Sequence, residues 1–135
     1  MDKKCFAYFG EKCMNVLFSH YLKGELNNLD EATKDAIDEF IFCVTNRGIK
    51  HLKGRNKSSV LPNPRTKKEL KHAKFAQKYC LHHYHLGVPC YVKQANGDLT
   101  SEYILHYCHY DGVIVLVDIS THPPFDLPSV DKLTY

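Results

Sequence analysis

Residues 102–119 constrain the fold more than any other stretch. Glu102–Tyr110, rich in tyrosine, and Val113–Ile119, the most apolar run of the chain, are separated only by Asp111-Gly112. An Asp-Gly step accepts the positive backbone angles of a tight hairpin turn, whose twist matches that of paired strands. The pattern predicts an antiparallel β-hairpin. Val113–Ile119 is apolar on both faces, so it is expected to lie centrally in a sheet with helices on one side.

The other segments predict what surrounds it. Residues 11–23 place Cys13, Val16, Leu17, His20 and Tyr21 at helical spacing, with Gly24 as the stop. Asp30 is suited to cap a second helix from about Glu31 to Asn46, whose stripe is Ala32, Ala36, Ile37, Phe40, Ile41 and Val44; Gly48 ends it. Residues 49–66 are basic, contain Pro62 and Pro64 and have no sustained period, so they read as a long loop. A third helix from about Thr66 to Cys80 sets Lys67, Lys71, Lys74 and Lys78 on one face, with Leu70, Ala73 and Phe75 inward. Leu81–Leu86 reads as a strand, Pro89–Gln94 as a short second one or its extension, and Ala95-Asn96-Gly97-Asp98 as a turn. Pro123, Pro124 and Pro128 exclude a regular helix near the end of the sequence. Helices followed by strands predict an α+β domain, with N-terminal helices packed on a three- to four-stranded antiparallel sheet. At 135 residues one domain is expected.

No apolar run approaches the roughly 20 residues of a membrane-spanning helix. Met-Asp-Lys-Lys-Cys begins no signal-like segment, so a cytoplasmic protein is expected. The six cysteines include no Cys-x-x-Cys pair and read as dispersed free thiols rather than zinc ligands or a disulfide framework. Charge is strongly polarised. Residues 47–78 carry eleven Lys/Arg against Glu69 alone, a local +10, while the rest carries seven basic and fourteen acidic residues. Such a segment is a footprint for a polyanion, or simply a solvated basic face.

Beside it lie the histidines. His83, His85, His106 and His122 sit in or just after the predicted strands. Alternation gives His83 and His85 one face, and His82 the other with Tyr84 and Leu86. Glu102 and His106 share a face with Ile104 and Cys108, while His122 lies just past the last strand. His85, Glu102 and His122 can therefore meet at one end of the sheet. Metal-free RNA cleavage needs a base for the 2′-OH, donors for the developing phosphorane charge and an acid for the 5′-oxygen. Two histidines, a carboxylate and nearby Lys/Arg meet that need, with no cofactor. A histidine in a strand is also often a hydrogen-bonded structural residue.

The motifs His83-Tyr84-His85-Leu86-Gly87, Ser101-Glu102-Tyr103-Ile104-Leu105-His106-Tyr107 and Val115-Leu116-Val117-Asp118-Ile119-Ser120-Thr121-His122-Pro123-Pro124-Phe125 resemble those of RelE-superfamily toxins of bacterial toxin–antitoxin systems. The YafQ branch has a His-bearing strand, an acid, an apolar strand and a closing Thr-His followed by Phe. His51-Leu52-Lys53-Gly54 resembles its basic loop. Gly54-Arg55-Asn56, the His-x-His-Leu strand and the Leu-x-Tyr-Cys strand resemble the YafO toxins. The likeness spans roughly residues 30–126. It implies residues 1–28 as a helical extension, 29–126 as the core and 127–135 as a tail.

The resemblance implies an mRNA endonuclease acting on the ribosome and neutralised by an antitoxin protein. It makes His85 and His122 the catalytic histidines, Glu102 the helping carboxylate and His51 a weaker fourth member, with His83 and His106 supporting. Phe125 would stack on or position substrate. Lys53, Arg55 and Lys57 would neutralise phosphate, and Lys71, Lys74 and Lys78 would hold an RNA backbone. In this chain Glu102 replaces the family's Asp, and about a dozen residues, 88–100, intervene after His85. A non-catalytic nucleic-acid-binding module is the alternative. A metal site among His83, His85, His106 and His109 is the third reading.

Overall fold

The computed structural model describes residues 14–135. Along them run β1 (Asn15–Phe18), α1 (His20–Glu25), α2 (Glu31–Asn46), β2 (Asn56–Ser58), α3 (Lys67–Lys78), β3 (Leu81–His85), β4 (Val92–Lys93), β5 (Leu99–Thr100), β6 (Tyr103–Tyr110) and β7 (Val113–Thr121). The α+β class is as expected, but the sheet is not a three- to four-stranded antiparallel one. It has five strands in the order β1-β7-β6-β3-β2, and β4 and β5 form a separate two-stranded ribbon. Four strands pair antiparallel, while β1 lies parallel to β7 with Leu17 opposite Val115.

The expected helix over 11–23 is therefore corrected: Asn15–Phe18 is a strand, and residues 11–13 lie outside the described residues. Val16 and Phe18 pack on the core while Leu17 faces out, the alternation of an edge strand. Only six residues beyond it form a helix, capped by Ser19, whose side chain accepts from the Leu22 N–H. Gly24 lies inside that helix rather than ending it.

Helix α2 starts where Asp30 predicts, its carboxylate accepting the Thr33 N–H at 2.7 Å. Its buried face is Thr33, Ile37, Phe40 and Val44; Ala32 is exposed. Phe40 meets Tyr84 and Tyr107 with ring centroids 5.2 and 5.4 Å apart. Helix α3 begins at a reciprocal Thr66–Glu69 capping box. It turns Ala73 and Ala76 inward, whereas Leu70, expected inside, is exposed. Residues 49–66 are not all loop: a 3-10 turn covers Ile49–His51, and β2 adds an edge strand beside β3.

Helices cover both faces of the sheet, not one. Ile114 and Leu116 of β7 belong to the cluster under α2, with Leu105, Tyr107 and Tyr84. Val115 and Val117 belong to the opposite cluster, with Ala76, Leu81, Cys108 and Leu133. The expected free thiols also need one correction. Cys80 is disulfide-bonded; Cys43, Cys90 and Cys108 are free.

The β6–β7 hairpin carries one irregularity. His106 pairs with Asp118 but Tyr107 pairs with Leu116, so Val117 is an extra residue in β7. A bulge of this kind reverses which face the following side chains occupy. Before it, even-numbered Ile114 and Leu116 face α2. After it, Ile119 packs toward α2 and Ser120 reaches His106 on the other face.

Candidate functional site

The bulge sends His122 to the side that His83, His85 and His106 already occupy. The result is one histidine cluster. The His85 and His122 rings lie 5.5 Å apart and nearly parallel, at 26°. His83 stands 6.4 Å from His85 and 6.0 Å from His122. Phe125 covers the group, with its ring 4.6 Å from His83, 5.2 Å from His122 and 5.9 Å from His106. His85 and His122 open into a cleft of about 180 Å³ shared with Arg55, Gln94, Thr100, Ser101 and Pro123.

His85 is fixed on every side. Its N–H donates to the Arg55 carbonyl at 3.0 Å, and its own carbonyl accepts the Tyr91 hydroxyl at 2.9 Å. Its Nδ1 accepts the Ser101 N–H at 2.9 Å and lies 2.8 Å from the Ser101 carbonyl, to which it donates when it carries a proton. One residue thus holds the ring in either protonation state, and Nε2 is left for the cleft. Gly54 makes the approach possible, because a Cβ there would overlap the His85 carbonyl and the Tyr91 ring.

His122 is held through its backbone, its N–H donating to the Glu102 carbonyl at 2.8 Å. Among the described residues its buried Nδ1 has no hydrogen-bond partner, and neither has Nδ1 of His106. A buried bare nitrogen is tolerated better than a buried orphan N–H, so neutral His122 carries its proton on Nε2. The other two histidines are anchored by hydroxyls, His83 by Ser59 at 2.9 Å and His106 by Ser120 at 2.7 Å.

Burial depresses all four imidazoles, because a charged ring loses its hydration there. His83 is pushed down to about 3, its histidine neighbours adding to the effect. His106 falls to about 4. His85 and His122 are also lowered, first by burial. At His85 the Ser101 carbonyl opposes the shift, and His122, Arg55 and Lys57 reinforce it; at His122 the reinforcing charge is Arg55. His83 and His106 are therefore neutral near pH 7 and suit supporting roles.

The remaining expected site residues divide. Glu102 contributes its carbonyl, but its side chain is exposed and forms no bond to a histidine, so the expected carboxylate–histidine grouping is not assembled. His51 lines a cavity of about 510 Å³ on the α2 face, with Phe40, Tyr84 and Leu86, away from the histidine cluster. Arg55 reaches the cleft, but its Nε donates to Asp98 at 2.7 Å. Lys53 lies 5.3 Å over the Tyr91 ring, and Lys57 is exposed on β2. Lys71, Lys74 and Lys78 are exposed along α3. Among the described residues no group of three or more His, Cys, Asp or Glu is placed to hold a metal ion.

Sequence reasoning missed Ser101, Asp98, Ser59 and Ser120. Asp98 stood within a recognised turn signal, but its reach to Arg55 depends on how the β4–β5 ribbon folds back. No helix among the described residues is long and apolar enough to cross a membrane. Comparison with known protein families, curated proteins and solved structures returned no match.

Proposed function

We propose that this protein is a metal-independent endoribonuclease that uses His85 and His122 as its acid–base pair. The observation that carries the reading is the placement of those two rings, 5.5 Å apart, in one cleft with Arg55. With Nδ1–H donated to the Ser101 carbonyl, His85 presents a lone pair at Nε2 and takes the proton of the 2′-OH. The 2′-oxygen then attacks phosphorus, and Arg55 offsets the phosphorane charge. The P–O5′ bond breaks as His122 passes its Nε2 proton to the departing oxygen, leaving a 2′,3′-cyclic phosphate. An arriving phosphate raises the proton affinity of His122, so the ring enters this step as imidazolium, against the cost of an N–H at its buried Nδ1.

The substrate in this reading is mRNA. By the motif likeness to RelE-superfamily toxins it is cut on the ribosome, in the cytoplasm, and an antitoxin protein is the partner. The experiment is incubation of the purified protein with naked RNA, with and without EDTA, and with translating ribosomes. Cleavage of naked RNA should survive EDTA; the ribosome incubation is read without it, because EDTA dissociates ribosomes. His85→Ala and His122→Ala should each lower cleavage by about 10²–10⁴, the usual worth of a positioned acid or base. Unchanged cleavage by the folded double variant would end the mechanism.

One observation favours a non-catalytic RNA-binding module instead: every histidine of the cluster is held toward its neutral form. That reading expects salt-sensitive RNA binding with no cut strand in either incubation.

A further inference from the structure

Phe125 is a shared wall. On one side its ring lies 5.2 Å from His122. On the other it closes a second pocket of about 240 Å³ between α3 and the end of β2, which His83 also lines. We propose that this pocket is a nucleobase subsite, taking the base of a nucleotide next to the phosphate cut at His85 and His122. The inference rests on the ribonuclease reading and adds where the RNA chain lies.

Four features fit a base. The volume is below the roughly 300 Å³ at which drug-sized pockets begin, which suits a single heterocycle. The walls are apolar and flat-sided, from Phe125, Leu61, Pro62 and Ala73, so a π-face can be buried. Polar groups that can read a base edge line it too: the Ser58 hydroxyl, His72 and the Glu69 carboxylate, beside the Ser59–His83 pair. Lastly, the helix that supplies Ala73, His72 and Glu69 exposes Lys71 and Lys74, and Lys57 is exposed on the strand opposite. A phosphodiester running from the cleft over Phe125 stays within that positive field.

The pocket also gives His83 a role that its low proton affinity allows. A neutral imidazole fixed by Ser59 is a rigid, uncharged floor between base and phosphate, and offers a hydrogen bond without titrating near pH 7. Base–aromatic stacking accounts for about a tenfold or larger gain in affinity per base.

The test uses RNA dinucleotides made uncleavable by a 2′-deoxy sugar at the scissile position, each with one of the four bases or an abasic residue on the flanking nucleotide. Binding to the full chain is measured by fluorescence anisotropy. At least one base should bind about tenfold more tightly than the abasic probe. Ala73→Leu, which fills the pocket from α3, should bring that probe down to the abasic level without weakening the abasic probe itself. Phe125→Leu, at an exposed position, should shrink the gap between base-bearing and abasic probes by removing the stacking face, whatever its effect on the abasic probe through His122. Equal affinity for abasic and base-bearing probes overturns the subsite, as does base-dependent binding that both variants leave intact. Base-dependent binding lost in the variants, in a protein that cuts no RNA, supports the subsite and overturns the acid–base reading alone.

Discussion

Ser101 meets His85 with both halves of its peptide backbone, so either neutral tautomer keeps the ring in place, and a proton gained at Nε2 leaves the Nδ1–H bond to the Ser101 carbonyl intact. That arrangement suits a residue that gains a proton and loses it once per turnover. Its consequence is visible in pH dependence. kcat/KM reports the free enzyme, in which His85 must be neutral and His122 charged. Both imidazoles titrate below the ordinary value of about 6.5. Neutral His85 is then plentiful at pH 7 and charged His122 scarce. Above about pH 6.5, kcat/KM should fall by up to tenfold per pH unit, and its maximum should lie on the acid side of that value. A plateau from pH 6.5 to 8 would refute the assignment of His122 as proton donor. Glu102→Gln is a companion measurement: with the carboxylate exposed and only the carbonyl engaged, cleavage should stay near the wild-type rate.

Among the elements, the β4–β5 ribbon gives the insertion after His85 a structural account. It supplies Gln94 and Thr100 to the cleft wall, carries Asp98 to Arg55, and leads to Ser101. Because the Arg55–Asp98 pair is partly exposed, it adds at most about 1 kcal/mol to stability. Its larger effect is orientation of the guanidinium. Asp98→Asn should therefore leave the urea midpoint almost unmoved while lowering kcat several-fold, and Asp98→Glu should recover part of the loss. A proportional drop in stability and rate would reduce Asp98 to a folding residue.

This is also the scale at which sequence and structure part company. Helix α2, helix α3 and the β6–β7 hairpin were legible because their caps, periods and turn residues are local. Strand β1 was not, because Val16-Leu17-Phe18 fits either a helical stripe or an edge strand, and only the distant β7 decides. Alternation put His83 and His85 on one face of their strand; that His106 faces the same side depends on the β3–β6 register, in which it pairs with His83. The arrival of His122 there depends on the extra Val117, and no residue type announces that bulge. Glu102 was overvalued because β6 begins only at Tyr103, so strand parity does not direct the side chain of the residue before it.

For the molecule as a whole, buried neutral histidines link folding to pH. His83 titrates at about 3, and His106 and His109 at about 4. Their unfolded value is about 6.5. A folded value below the unfolded one means that the unfolded chain binds more protons between the two, so acid favours unfolding. The contribution is complete above about pH 6.5 and is lost as pH falls toward 4 and then 3. Each such histidine costs up to about 1.4 kcal/mol per pH unit within its window. Urea unfolding should therefore show a stability that drops by several kcal/mol between pH 7 and pH 5. His109→Phe should flatten that slope. A pH-independent midpoint would mean that the cluster is hydrated enough to charge in place.

The parallel pairing of β1 with β7 has a consequence for the order in which the chain is made. Leu17 and its partner Val115 lie in the first and last strands of the sheet, among the described residues, to leave the ribosome. At about 5–20 residues per second, roughly 5–20 seconds of synthesis separate them. For that interval Val16-Leu17-Phe18 has no edge to join. A nascent chain of this protein thus carries an uncommitted apolar strand throughout that interval, a natural target for chaperones until β7 emerges.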